Sequence, residues 1–263
     1  MRFASLGSGS KGNALVVEAG GSGKKTRVLL DCGFGPRDLS RRLARLGLVP
    51  QDLDAILVTH EHGDHSSGVM KCSRRHSVRV FLTHGTLAAV PRTGAARVAP
   101  KTLLTVIEGD QSFAIEALEI QPFPVPHDAR EPVQFVFSDG RHRLGVLTDT
   151  GASTPHIVSM LNRCDGLILE CNHDVAMLAE GPYPWPLKQR IAGRFGHLDN
   201  QSAADLLAAL DRSRLQHVVA AHLSAHNNTP ALARAALAAV LGCSPDWIEV
   251  ASQDEGCAWL ELT

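Results

Sequence analysis

Asp54-Ala55-Ile56-Leu57-Val58-Thr59-His60-Glu61-His62-Gly63-Asp64-His65 runs from a short apolar segment directly into three imidazoles and an aspartate. Imidazole and carboxylate are the groups that hold Zn²⁺ or Mn²⁺ while leaving a coordination position for water, and a loop capping a buried strand can bring several of them to one point. A histidine-rich surface loop is the plainer alternative. Three histidines and an aspartate alternating within six positions is more than such a loop needs.

Working outward, similar apolar runs rich in valine, isoleucine and leucine recur at Ala14 to Glu18, Arg27 to Asp31, Val78 to Thr83, Leu103 to Ile107 and Ile115 to Ile120. With Ala55 to Thr59 they read as strands. Gln134 to Phe137 and Arg143 to Thr148 flank Ser138-Asp139-Gly140-Arg141, a hairpin signature. Gly166 to Glu170, His217 to Ala221, Trp247 to Ala251 and Cys257 to Leu262 complete the strands.

Helices are interspersed. Pro36 to Leu46 stripes Leu39, Leu43 and Leu46 on one face, with Arg41, Arg42 and Arg45 expected outside and Gly47 at the end. Ser202-Ala203-Ala204-Asp205 resembles a capping box before the stripe of Leu206, Leu207 and Leu210, and Pro230 to Leu241 is an alanine-rich helix closed by Gly242. Without a Ser/Pro linker or a short repeat, the expectation is one domain over residues 1–263, halved near residue 140, with two sheets covered by helices.

The composition, 44% hydrophobic and 20% charged over 263 residues, is that of an ordinary globular protein. No run is long enough to cross a bilayer, and Met1 to Ser10 lacks the basic start of a signal peptide, so a cytoplasmic protein is expected. The six cysteines form no C-x-x-C pair and sit mostly in apolar segments, which predicts buried free thiols. Metal ligands are therefore sought among histidines and acids. A net charge of −1 neither excludes nor supports a nucleic-acid partner.

A site for two metals needs more ligands than one loop supplies. His127, Asp149 and His222 each follow a strand-like run, where α/β architectures collect their chemistry. Taken singly, each is an ordinary surface histidine or capping aspartate. Together with the opening loop they form a series.

That series, H-x-H-x-D-H after a strand, then a single His, a single Asp in Leu147-Thr148-Asp149-Thr150-Gly151 and a final His, resembles the metallo-β-lactamase-fold hydrolases across nearly the whole chain. The resemblance implies a four-layer αββα sandwich of the α/β (α+β) class. It implies two divalent ions, zinc, manganese or iron, with His60, His62 and His127 on one, Asp64, His65 and His222 on the other and Asp149 bridging. Histidine at position 62, where the redox-active diiron branch carries Glu, resembles the hydrolases.

Four further stretches resemble the YycJ/WalJ-like branch: Ser8-Gly9-Ser10-Lys11-Gly12-Asn13, Glu170-Cys171-Asn172-His173-Asp174, Gly196-His197-Leu198-Asp199-Asn200, and His222-Leu223-Ser224-Ala225-His226-Asn227-Asn228. Members more often carry Ser at the position of Asp199, and the position of His226 is usually not His. The resemblance implies a DNA substrate, 5′-to-3′ exonuclease activity and a role in DNA repair.

In such a site a hydroxide shared by two ions is the nucleophile, because binding lowers the pKa of water from ~16 towards ~7. Asp64 is placed to orient it. His173 and His197, with His226 third, are candidates for protonating the leaving group. Ser8, Ser10 and Asn13 suit a phosphate cradle, and Asn172, Asn200, Ser224 and Asn227 suit either substrate contacts or bonds that fix the metal-binding histidines. The basic residues Lys71, Arg74 and Arg75 read as a solvated face, whereas Gly181 to Arg190, with Tyr183 and Trp185 among prolines, suits base stacking. A hydrolase of a small ester, thioester or lactone remains open, since the same nucleophile serves. A metal-stabilised binding or sensor protein is the third reading, disfavoured because purely structural sites are more often closed by cysteines.

Overall fold

The computed structural model describes residues 1–20, 23–90 and 99–263. One sheet holds β1 (Arg2–Gly7), β2 (Ala14–Ala19), β3 (Thr26–Leu30), β4 (Ala55–Leu57), β5 (Arg79–Thr83) and β6 (Leu104–Ile107) side by side in that order. The other holds β7 (Phe113–Ile115), β8 (Leu118–Pro124), β9 (Val133–Ser138), β10 (Arg143–Leu147), β11 (Gly166–Glu170), β12 (His217–Ala221) and β13 (Glu249–Val250), and β14 (Leu260–Glu261) returns to pair with β1. Each sheet begins with antiparallel strands and continues parallel, from β3 onward in the first and from β10 onward in the second.

Alternation along the strands builds three apolar layers. Leu15 and Val17 of β2 point between the sheets, against a core that includes Phe135 and Phe137 of β9. Their neighbours Ala14 and Val16 point outward, beneath α1 (Pro36–Arg45) and, beyond the short α2 (Gly63–Ser66), α3 (Val69–His76), which supply Leu39, Leu43, Val69 and Cys72. After α4 (His84–Ala89), the outer face of the second sheet is covered by α5 (Pro155–Leu161). Beyond α6 (Val175–Glu180) and α7 (Trp185–Ile191) it is covered by α8 (Asn200–Ala209) and α9 (Pro230–Leu241). The result is the αββα sandwich. No helix among the described residues is long and apolar enough to cross a membrane.

Several elements differ from expectation for identifiable reasons. The halves divide between Ile107 and Phe113, not near residue 140, because the hairpin at 138–141 joins two strands of the same sheet. Ile115 to Ile120 is two strands, since Glu116 takes φ +49° and the chain reverses so that Ile115 pairs with Leu118. The cap of α8 is Asp199, whose carboxylate accepts from the N–H groups of Gln201 and Ser202. Arg42 is buried, not solvated: its guanidinium donates to the carbonyls of Leu6 and Asp254 at 2.7 Å each and lies 3.9 Å from the centre of the Phe34 ring. Five short helices, α2 to α6, and strand β1 are not apparent from periodicity, whereas the basic helix at the end of Gly181 to Arg190 is α7. All six cysteines are free, four of them buried.

Glu18 of β2 is a buried carboxylate holding three cations, Arg2 of β1, Arg27 of β3 and Lys25 just before β3, at 2.6, 2.7 and 2.8 Å. Burial alone would raise its pKa, but the three cations outweigh that and hold it at about 2 against an ordinary 4.5. A depressed carboxyl contributes stability that is complete above the ordinary pKa and is lost as pH falls towards the folded value. Because its partners are partly in solvent, the contribution is about 1–3 kcal/mol. Glu18→Gln is expected to be less stable at pH 7 by that amount and to lose less stability between pH 4.5 and 2, as measured by urea unfolding at each pH.

Candidate metal centre

All seven expected ligands gather where strands end. His60 and His62 follow β4, Asp64 and His65 lie on α2, His127 follows β8, Asp149 follows β10 and His222 follows β12. Strands β8 and β10 are both antiparallel to β9 and therefore parallel to each other, so His127, Asp149 and His222 emerge at one edge of the second sheet. Among the described residues four sets of ligand atoms lie mutually within 4.8 Å: those of His60, His62 and His127, of His60, His65 and Asp149, of Asp64, His65 and His222, and of Asp149, Glu170, His197 and His222. Asp149 faces both sides of the cluster, Oδ2 at 2.8 Å from His65 Nε2 and Oδ1 at 3.5 and 4.0 Å from the Nε2 atoms of His222 and His127.

The backbone works to achieve this. Asp149 and His222 adopt φ of +55° and +56°, and Asp31, at the end of β3, adopts +60°. For residues with a Cβ this left-handed conformation costs roughly 1–2 kcal/mol each, least for short polar side chains that bond locally. It turns each side chain out of its strand and into the cluster.

A second set of residues orients the imidazoles. Asp31 Oδ2 lies 2.7 Å from His65 Nδ1 and accepts from Thr59 Oγ1, which in turn lies 2.9 Å from His60 Nδ1. Nδ1 of His127 bonds the Gly196 carbonyl at 3.0 Å, and Nδ1 of His222 lies 3.4 Å from Glu170 Oε1. With those protons donated outward, the Nε2 lone pairs of four rings face inward, the arrangement that prepares histidine for a metal.

The residues fit divalent ions. His60 Nε2 is buried and has no hydrogen-bond partner among the described residues, and His127 Nε2 faces His62 Nδ1 at 3.3 Å. Burial pushes His60 well below the usual imidazole pKa, keeping it in the neutral, ligating form. At His222 burial acts in the same direction, but Asp149, with Asp64 and Glu170, outweighs it and raises the pKa to about 10. Burial likewise opposes charge on His65, and Asp149 and Asp31 overcome it. The carboxylates thus demand positive charge at the centre, which bound cations satisfy in place of protons.

Glu170 and His197 extend the cluster. Glu170 is fully buried, accepts from the N–H groups of Thr150 and Leu198, and lies 2.8 Å from His197 Nδ1. Burial raises its pKa, yet His197 and His222 bring it to about 2. Burial also opposes a charge on His197, which Glu170 and then Asp149 override, raising its pKa. Asp31 and Glu170 were not singled out from sequence. Their signal is a carboxylate closing an apolar strand at the end where the ligands collect.

The centre opens into a cleft of about 390 Å³ lined by Ser10, Asp64, Tyr183, Arg190, His197 and Ser224. Asn172 also lines it, its amide donating to the His222 carbonyl at 3.0 Å. Ser8 and Asn13 lie behind the cluster and brace it. Ser8 Oγ accepts from the His222 N–H at 2.9 Å, and the Asn13 amide lies 3.2 Å from Asp64 Oδ2 and 3.0 Å from His65 Nε2. Asn200 is outside the cleft, paired amide to amide with Asn228, and Asn227 is buried with its amide on Ser224 Oγ. His173 lines a neighbouring cavity and not the cleft, and His226 packs edge-on against Tyr183 at 5.8 Å.

Residues 26–222, from β3 to His222, match the model of the β-lactamase superfamily domain. The chain belongs to that superfamily. Within it, the chain is 32% identical over 232 residues to exodeoxyribonuclease WalJ of Streptococcus pneumoniae serotype 2, covering 88% of this chain and 85% of that one. It is also 32% identical over 249 residues to exodeoxyribonuclease YycJ of Bacillus anthracis, covering 92% and 89%. These likenesses put it in the WalJ/YycJ branch of the superfamily. The metallo-β-lactamase fold protein YhfI from Bacillus subtilis has the same fold, with a TM-score of 0.72 at 15% identity over 99% of each chain. The superfamily match spans every ligand position described above.

Proposed function

We propose that this chain is a dinuclear metal-dependent phosphodiesterase, a DNA exonuclease working from the 5′ end with a role in DNA repair. The observation that carries the reading is the convergence of seven ligand-type side chains, four of which line an open cleft, in a chain whose relatives at 32% identity over most of their length are exodeoxyribonucleases. His60, His62 and His127 would hold one ion, Asp64, His65 and His222 the other, and Asp149 would touch both. The ions, zinc, manganese or iron, would supply water of lowered pKa and polarise a phosphoryl oxygen.

The chain's own residues do the rest. Asp64, its pKa held well below the carboxylate range by His222 and His65 against the effect of burial, is ionised and accepts a hydrogen bond from the attacking water. Glu170 fixes the Nδ1 proton of His197, so that the raised imidazole can release a proton from Nε2 to the leaving oxygen. His173, neutral through burial and set outside the cleft, does not share that role. Ser10, Tyr183, Arg190 and Ser224 receive the strand beyond the scissile bond.

The test is metal analysis of the purified chain followed by parallel assays on end-labelled duplex and single-stranded DNA, a generic phosphodiester, a thioester and a lactone. Two equivalents of metal and release of mononucleotides from the 5′ end are expected. Turnover of the carbonyl substrates alone overturns the nuclease assignment. Chelation is expected to lower Tm, since a ligand at 100 times its Kd stabilises by about 2.7 kcal/mol, roughly 5–10 °C for a chain of this size.

A further inference from the structure

A second cavity, of about 340 Å³, adjoins the metal cleft. Among the described residues His197 alone lines both, so the two cavities meet at its imidazole. Helix α7 stands along the two. Its Leu187, Arg190 and Ile191 face the cleft, whereas Trp185, Lys188 and Gln189 face the second cavity.

The walls of this cavity are of two kinds. Val175 and Leu178 of α6 and Trp185 of α7 form an apolar side, on which Trp185 is 69% and Val175 61% exposed. His173 also lines it, only 2% exposed, and its Nδ1 has no hydrogen-bond partner among the described residues. Unpaired polar atoms of buried side chains are costly, and they mark places where a ligand completes the bonding. The Asp199 carboxylate at the same end is occupied by the Gln201 and Ser202 N–H groups and by Ser202 Oγ, and Lys188 Nζ by the Ala179 carbonyl. Both keep their charge, one of each sign, and both already hold neutral partners, so the lining does not single out an ionic ligand of either sign.

A flat heteroaromatic ring meets all of these conditions. Its face stacks on the indole, its edge supplies the hydrogen bond that His173 lacks, and it brings no charge. A purely aliphatic group would leave His173 unpaired. We infer that this cavity is the subsite for the nucleobase beside the scissile phosphate, with Trp185 as its stacking face and His173 on its edge. This rests on the nuclease reading above and adds where the base goes when the phosphate is at the metals. A neutral imidazole can present Nδ1 as donor or acceptor, and every base has a π-face, so the subsite accepts any base and confers no sequence preference.

The test compares the metal-loaded chain and its Trp185→Ala variant on two oligonucleotides, one intact and one with an abasic tetrahydrofuran residue at the terminal nucleotide. Stacking on an aromatic side chain is worth about tenfold or more in binding. Wild type is therefore expected to prefer the intact end by about tenfold in kcat/KM, mostly through KM, and Trp185→Ala to bring that ratio close to one. His173→Gln, which retains a hydrogen-bonding group, should keep most of the preference, and His173→Leu should lose it. Equal kcat/KM of wild type on the two ends, or the same ratio in Trp185→Ala as in wild type, overturns the subsite alone. Absence of cleavage of any oligonucleotide by wild type overturns the nuclease reading and the subsite with it.

Discussion

Asp64→Ala is expected to lower kcat on DNA by about 10³-fold or more while leaving the chain folded. The reason lies in where Asp64 sits. Its Oδ2 lies 3.4 Å from Nε2 of both His65 and His222, yet the side chain keeps 23% exposure at the mouth of the cleft. With His62 it is one of the expected ligands that meet solvent in the cleft where the nucleophile must arrive, and it is the one with a carboxylate to accept from water. Far-ultraviolet circular dichroism should be near wild type, metal content should fall by no more than one equivalent, Tm should fall by no more than the loss of one ion causes, and single-turnover rates should collapse. Near-wild-type turnover with full metal content would mean that another group orients the water.

The second large effect concerns the proton. His197→Ala should cost about 10²–10⁴-fold in kcat on DNA, the usual contribution of a general acid, and only a few-fold on bis(p-nitrophenyl) phosphate, whose leaving group departs without one. Glu170→Gln should fall between, because the amide keeps the shape of the buried carboxylate but no longer stabilises the imidazolium. The sign of the pH dependence follows. His197 must be protonated, its pKa is raised by Glu170 and Asp149 against burial, and kcat should fall as pH rises through that pKa. In Glu170→Gln that limb should move to lower pH. Equal losses on the two substrates would assign His197 a positioning role only.

The parts of this molecule that were legible in the sequence share a property: each is announced within a few residues of itself. Leu57 to His65, Val146 to Asp149 and Val218 to His222 show apolar strands ending in ligand-type residues, and β11, β12 and α9 begin and end where expected. What was missed is either too short or too distant. Six-residue helices such as α6 contain less than two turns, too few for a 3.6-residue stripe to stand out. Asp31 acts on His65 from 34 residues away and Glu170 on His197 from 27, so neither pairing has a local signal. Arg42 looked solvated because its neighbours Arg41 and Arg45 are of the same type. Only the tertiary approach of the carbonyls of Leu6 and Asp254 reveals a buried guanidinium. A Ser/Gly loop such as Ser8 to Asn13 suits phosphate in sequence, whereas the fold uses Ser8 and Asn13 to brace His222 and the Asp64–His65 turn.

The left-handed residues Asp31, Asp149 and His222 act as a filter on how this chain can lose its function. At such positions drift is cheapest towards glycine, asparagine and aspartate, and β-branched or bulky replacements are penalised by the backbone before any question of chemistry arises. A descendant released from selection for catalysis should therefore accumulate Asn or Gly at positions 31, 149 and 222 while holding the same chain path. His60, His62 and His127 carry no such backbone restraint and are free to become hydrophobic. Asymmetric decay of the two groups of positions would distinguish a folded relative that has retired from hydrolysis from one that still performs it.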